Sequence, residues 1–444
     1  MINIRDAIHG AIAIEKHELP ILDSYFFQRL REIKQTGFAE HSFPGATHTR
    51  YIHSLGATQT ITQTFESIFA PQKLKISQSA WKRFRAIARL AAMLHDIGHG
   101  PLSHTTEFAM PEVSKLKVPG AKKSNRKASH EDYTLKILLD SPFTPILEKA
   151  TAEFGFTPLH VAATIESHIE VQDDFFLETV NGKTIDFRPI LHQLISSELD
   201  ADRMDYLRRD SFQCGVNYGV FEYDWILSNL TFHINETDSK CYLALGHRGL
   251  YAFEDFLLSR YHMFLMVYLH HKTVIFDEML SKYLNDPECE YHLPADIEEY
   301  ARCTDSQLYS HLSNSTNEWA KRIVEKRPLR MLLETHSGIP NTDKARDQQA
   351  RLCKKLKEDL TSKNIEYIET TSVGELSKYF GKSDFPIYVR YDNLFSEPSF
   401  IPLQKCTSLF TQYPNTRSIS RLFVNEHDYD LLKKDGKGSP LDFD

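Results

Sequence analysis

The chain is predicted to be mainly α: an all-helical core with a short β-hairpin, followed by a small C-terminal α+β domain. Two helical signatures and one change of pattern carry that reading. WKRFRAIARLAAML (81–94) repeats apolar residues at helical spacing without Gly or Pro, and AFEDFLLSRYHMFLMVYLHHKTVIFDEML (252–280) resumes the pattern. HSGIPNTD (336–343) then breaks it, and helical and strand segments alternate behind the break. At 444 residues the chain exceeds a usual single core, so two domains are expected, 1–335 and 336–444.

The elements follow in order. Residues 1–15 read as a short extended hairpin, and helices dominate from there to about 235. FHINE (232–236) and CYLALGH (241–247), joined by the polar turn TDSK, read as a strand pair. Beyond 343 come a charged helix, DKARDQQARLCKKLKEDL, the strand IEYIET, a short helix, the strand FPIYVRY, and a strand and helix in SRLFVNEHDYDLLKK. A net charge of -8 and 41% hydrophobic residues fit a soluble globular protein and exclude a strongly basic nucleic-acid binder. No 18-residue apolar run is present and MINIRDAIHG lacks a signal-peptide core, so a cytoplasmic protein without a membrane partner is expected. The six cysteines show no CxxC spacing and are expected to be reduced thiols.

Chemistry concentrates in AAMLHDIGHGPLSH (91–104). Ala91 to Leu94 read as the buried last turn of a helix starting near Ser77, which sets His95 and Asp96 side by side at an apolar helix end. An unpaired carboxylate there is costly, and a metal removes the cost. His99 lies one turn on, and Gly98, Gly100 and Pro101 suit a turn that brings His104 back over the site. Upstream, FPGATHTRYIHSLG (43–56) places Arg50 and His53 at the mouth of another helix. Downstream, SSELDADRMDYLRRDS (196–211) carries Asp202, Tyr206 and Asp210 on one helical stripe. Asp200 and Asp205 fall off that stripe and read as capping or surface charges. Imidazole and carboxylate suit divalent iron, manganese, zinc or magnesium, so His53, His95, Asp96 and Asp202 form a candidate site for one or two ions.

In order and spacing these motifs resemble the HD-domain phosphohydrolases, marked by an early His, a His-Asp doublet and a late Asp on a helical core. IRDAIHG (4–10), FQRLREIKQTG (27–37), 43–56, 94–104 and 202–210 look more closely like the deoxynucleoside triphosphate triphosphohydrolases of that family, both the SAM-and-HD-domain type and its bacterial relatives without the SAM domain. The resemblance covers roughly the first 335 residues. It implies a metal-dependent enzyme that releases deoxynucleoside and intact triphosphate from a dNTP. The metal would be Mn2+, Fe2+ or Mg2+, with Zn2+ or Ni2+ as alternatives. It further implies ligands at His53, His95, Asp96 and Asp202, a proton donor at His104 supported by Glu107, and phosphate-facing histidines at His99 and His130. Arg50, Arg203, Tyr206, Arg260 and Tyr268 match phosphate and sugar contacts, and Gln35 and Asp210 match the pair that holds the 3′-hydroxyl. Tyr268 would stand where a 2′-hydroxyl would go.

Asp23, Gln28 and Arg31 match a guanine-reading triad at an activator site between subunits, which implies a GTP or dNTP activator and a homo-oligomer, tetramer or dimer. Four departures stand out: Arg203 and Thr36 replace a lysine and a leucine, and Ile2 and Glu325 stand where lysines hold the activator phosphates, while Lys321 is kept. PEVSKLKVPGAKKSNRKASH (111–130) carries Lys115, Lys117, Lys122, Lys123, Arg126 and Lys127 before His130, a basic segment able to draw in triphosphate or a nucleic-acid end. Two other functions fit the same residues: an HD phosphohydrolase acting on nucleoside monophosphates or nucleic-acid ends, and a nucleotide-sensing or nucleic-acid-binding protein with a vestigial site. Arg50, Arg203 and Arg260 argue against the first, and the intact ligand set with His104 against the second.

Overall fold

A computed structural model describes residues 2–121, 125–337, 342–374, 376, 385–393, 395–412 and 417–434. Helices α1 (Arg50–Ile68), α2 (Gln78–Leu94), α3 (His130–Leu139), α4 (Pro158–Ile165) and α5 (Ala201–Cys214) form the centre. α1 packs against both α2 and α5. α2 starts where the Ser77 hydroxyl accepts from the Ala80 N–H, and its last residues, Leu90 to Leu94, are buried, so its C-terminal end points His95 into the core. Asp200 caps α5 by accepting from the Arg203 N–H, as its capping reading expected.

The mainly α fold with its α+β C-terminal part holds. The N-terminal hairpin pairs β1 (Ile2–Asp6) with β2 (Gly10–Ile14) antiparallel. A second hairpin, β3 (Leu177–Val180) and β4 (Lys183–Asp186), turns through Asn181 and Gly182, both at positive φ. It was not expected, although Asn-Gly is the dipeptide such turns require. β5 (Leu230–Asn235) and β6 (Lys240–Gly246) pair antiparallel, one or two residues earlier than read from sequence.

The long segment after β6 is two helices rather than one. α6 (Leu250–Met263) passes into a π-helical turn at Phe264–Tyr268, and α7 (His271–Leu284) restarts after His270 leaves helical geometry. α8 (Asp305–Asn314) follows, capped by Thr304. β7 (Arg330–His336) pairs with β11 (Arg417–Val424), which also pairs with β8 (Tyr367–Gly374). β9 (Tyr388–Tyr391) runs parallel to β6 and carries β10 (Ser399–Pro402) on its other edge. The 335/336 division therefore falls inside β7, and both sheets join residues from its two sides. α9 (Asp343–Ser362) and α10 (Glu426–Lys434) match the two C-terminal helices read from sequence. The short helix expected between IEYIET and FPIYVRY falls largely outside the described residues. No helix among the described residues is long and apolar enough to cross a membrane. The six cysteines are free thiols.

Candidate active site

α1, the end of α2 and α5 bring His53, His95, Asp96 and Asp202 together. His53 Nε2 lies 3.0 Å from Asp202 Oδ1 and 3.5 Å from Asp96 Oδ2, and His95 Nε2 lies 3.5 Å from Asp202 Oδ1 and 3.4 Å from Asp96 Oδ1. His53, His95 and Asp202 alone put one ligand atom each within 4.8 Å of one another. Both Nε2 atoms are buried without a directed hydrogen bond among the described residues, whereas His95 Nδ1 is engaged by the Ala92 carbonyl at 2.8 Å. Two imidazole nitrogens left open toward carboxylates are the donor set a divalent cation takes.

Electrostatics point the same way. Burial alone would depress the His53 imidazole, but the carboxylates of Asp202 and Asp205 outweigh it and push it up to about 10. His95 is raised against burial by Asp96 and Asp202. Burial would raise Asp96, yet Arg50 and His95 hold it well below the usual carboxylate range. Asp202 is likewise held down by the two histidines. The carboxylates that draw protons onto His53 and His95 are the groups that would favour a cation in their place.

Asp205 is a correction to the sequence reading. It is fully buried, not a surface charge: it accepts from His53 Nδ1 at 2.8 Å, His9 Nε2 at 2.7 Å and Arg209 Nε at 2.9 Å. Arg209 Nη1 in turn donates to Asp6 at 2.7 Å, which ties the N-terminal hairpin to the site. The Asp205–Arg209 spacing on a largely buried helix was the available signal. Between α1 and α5 only Gly56 fits, because a Cβ there would stand 2.1 Å from Asp205 Oδ1 and 2.2 Å from Arg209 Nη2.

A second cluster adjoins the first. His99, His104, Glu107 and His130 place ligand-type atoms within 4.8 Å of one another. Glu107 Oε1 accepts from His104 Nδ1 at 3.1 Å and from His130 Nδ1, and the His99 and His130 rings stack with centroids 3.8 Å apart. Burial would raise Glu107, but the two histidines hold it far below its ordinary value. Burial would lower His130, and Glu107 reverses that. Burial depresses His104, with Glu107 opposing; its side chain is 65% accessible because it opens into a cavity, and water there weakens the effect. Leu102 and Ser103 both sit in the left-handed region, at φ 55° and 57°. The turn is held from outside: Asp305, on α8, accepts from the Leu102 N–H at 2.6 Å and the Lys34 N–H at 3.0 Å.

A cavity of about 380 Å³ lies over both clusters. His95, Asp96, His99, His104, His130 and Asp202 line it, together with Gln35, Arg50, Arg203, Tyr206, Asp210, Arg260 and Tyr268; His53 and Glu107 stand behind the wall. Several of these hold partners of their own. Arg50 Nη1 donates to Asp96 Oδ2 at 2.6 Å and its Nε to Ser103 Oγ at 2.8 Å. Arg203 turns toward the Ser197 carbonyl and Glu198, and Arg260 Nη1 donates to the Leu376 carbonyl at 2.8 Å. Asp210 accepts from Tyr268 and from His48, each at 2.7 Å, and His48 was not singled out in the sequence.

Asp23, Gln28 and Arg31 do not line the cavity. Asp23 and Arg31 are exposed, Gln28 Oε1 accepts from Arg31 Nε at 2.8 Å, and Arg31 lies over the Tyr51 ring. In the basic segment Arg126 makes a two-pronged pair with Asp132, at 2.6 and 2.8 Å, while Lys122 and Lys123 lie outside the described residues.

Comparison with known proteins identifies two domains in the chain. Residues 50–210 match the HD domain and residues 225–362 the HD associated region. The chain thus carries an HD domain followed by an HD associated region. Among curated proteins it is 32% identical over 334 residues to the uncharacterised protein MJ1154 of Methanocaldococcus jannaschii, covering 75% of this chain and 60% of that one. It is 25% identical over 290 residues to the deoxynucleoside triphosphate triphosphohydrolase SAMHD1 of Homo sapiens, covering 63% and 43%. The chain thus spans about 60% or less of the length of these relatives. A solved structure of a hypothetical protein from Aquifex aeolicus is 26% identical, covers 98% of both chains and superposes with a TM-score of 0.69. A phosphohydrolase from Bacteroides thetaiotaomicron, 21% identical, covers 96% of this chain and 100% of that one with a TM-score of 0.64, and shares the fold.

Proposed function

We propose that the protein hydrolyses deoxynucleoside triphosphates to deoxynucleoside and triphosphate. The observation that carries the proposal is one cavity that joins a His/Asp ligand set to a carboxylate-backed histidine and three arginines. His53, His95, Asp96 and Asp202 would hold a divalent cation, Mn2+, Fe2+ or Mg2+ in the first place. Bound there, such an ion supplies Lewis acidity toward a phosphoryl oxygen and makes water more acidic.

The chain's own residues do the rest. Arg203 and Arg260 bring fixed positive charge to the triphosphate, and Arg50 adds its guanidinium where Asp96 releases it. Water adds to the α-phosphorus as the bond to O5′ breaks, and the leaving oxygen needs a proton. His104 can supply it from Nε2, because Nδ1–H is already committed to Glu107. Glu107 fixes that tautomer and stabilises the imidazolium before transfer. Asp210 and Gln35 hold the sugar edge, with Tyr268 packed against the position of a 2′-hydroxyl. A guanine nucleotide at Asp23, Gln28 and Arg31, in a homotetramer or dimer, would act as activator. Support for this reading comes from the similarity to the human triphosphohydrolase and from the arrangement of the cavity.

The test is incubation of metal-loaded protein with each dNTP and NTP, with and without GTP, and separation of products by ion exchange. Tripolyphosphate with deoxynucleoside is expected; diphosphate, monophosphate or no turnover with any metal rejects the reaction. Asp202→Ala should lose metal and turnover together. His104→Ala should keep its metal and lose about 100-fold or more in kcat, the usual contribution of a positioned acid.

A further inference from the structure

The polyphosphate and metal ends of the cavity leave one stretch of wall without a task. It is made by Thr36, Gly37, Thr105, Thr273 and Asp277. Its chemistry is opposite to that of the arginine wall. Asp277 accepts one hydrogen bond, from Thr105 Oγ1 at 2.9 Å, and pairs with no cation among the described residues. Thr273, one turn earlier on α7, is 5% exposed and its Oγ1 is buried without a partner. The wall begins next to Gln35, the residue assigned to the sugar edge, so it lies where the base would follow the sugar. Gly37 keeps this wall open: at φ 53° a Cβ would stand 2.9 Å from Thr105 Oγ1.

A carboxyl with two hydroxyls repels a triphosphate and satisfies N–H donors. Buried acceptors of this kind are costly when empty, so they belong to the uncharged end of the ligand. We infer that Asp277, with Thr105 and Thr273, reads the nucleobase and favours one that presents paired N–H donors, guanine first. Guanine offers N1–H and the N2 amino group side by side, the match to a carboxylate that two parallel hydrogen bonds allow. Cytosine and adenine offer one amino group. Thymine offers a single N3–H between two carbonyl oxygens, which would face the carboxylate. Burial pushes the free carboxyl up to about 7, with Thr105 opposing, and a bound base with two donors would return it to the ionised state.

The inference rests on the proposed nucleotide substrate, and the experiment separates the two. The kcat/KM of wild type, Asp277→Asn and Thr273→Val would be measured with dGTP, dATP, dCTP and dTTP, and binding of deoxyguanosine and thymidine by calorimetry. Wild type should prefer dGTP to dTTP by about tenfold or more, and Asp277→Asn should cut that ratio by about tenfold, the effect of one or two lost hydrogen bonds. An unchanged ratio in both variants overturns base reading and leaves the triphosphohydrolase reaction standing. Binding of deoxyguanosine over thymidine that Asp277→Asn abolishes, without hydrolysis of any dNTP, upholds base reading and rejects the reaction. Absence of both hydrolysis and nucleoside binding rejects both.

Discussion

Asp205 does not line the cavity, yet it decides how His53 behaves. By accepting from Nδ1–H it leaves Nε2 as the open nitrogen facing Asp202, and it raises the basicity of the ring. Asp205→Asn should therefore weaken metal binding by about 10–100-fold, as measured by calorimetric titration with Mn2+. It should also lower the melting temperature, because Arg209 is left buried with less countercharge. Unchanged metal affinity would remove Asp205 from the site. Asp277 gives a second prediction at this scale. Its carboxyl, ordinarily near 3.8, is pushed up to about 7 in the folded chain by burial. A raised folded pKa means a stabilising contribution that is full below about pH 4 and lost as pH rises to about 7. Asp277→Asn cannot ionise, so it should melt higher than wild type at pH 8, with the gap shrinking toward pH 4.5 in a fluorimetric scan. A gap that does not vary with pH would contradict the assignment.

Among elements, α8 contributes no residue to the cavity lining but fixes the turn that does. Two successive left-handed residues at Leu102 and Ser103 are strained, at about 1–3 kcal/mol each, and persist only where neighbours over-determine them. Asp305 is that neighbour, holding Leu102 and Lys34 with one carboxylate. Asp305→Ala should release the turn, lowering kcat more than it raises KM, and Asp305→Asn should recover part of the loss because its amide oxygen still accepts. Steady-state kinetics of the two variants would decide; equal kcat and KM to wild type would show the turn holds itself.

This device also marks where sequence reading stops. α1, α2 and α5 were legible because periodicity and capping residues are local, and their ends deliver His53, His95 and Asp202. The clamp by Asp305 spans 203 positions to Leu102 and leaves no local trace. The π-helical turn at Phe264–Tyr268 was hidden because FLMVY contains neither Gly nor Pro. The hairpin at Asn181–Gly182, by contrast, does carry a local signal, the Asn-Gly dipeptide of its turn.

For the whole molecule, the C-terminal residues are built into the first part. β9 extends the sheet from β6, Gln193 Nε2 donates to the carbonyls of Phe385 and Pro386 at 3.1 and 3.0 Å, and the Leu376 carbonyl receives Arg260. A chain ended at His336 would leave β6 unpaired where Ala244 to Gly246 meet β9 and leave Arg260 without that partner. It is expected to melt lower and to associate, as read by light scattering and near-ultraviolet circular dichroism. A monodisperse fragment with unchanged melting would show two independent domains.

The contact at Gly56 has a bearing on how the sequence can vary. The helices that carry His53 and Asp202 approach through a position with no room for a methyl group. In a saturation library at codon 56 selected only for folded protein, with no demand on hydrolysis, glycine codons should dominate the survivors. The spacing of the proposed metal ligands would then be inherited through a residue that takes no part in the chemistry.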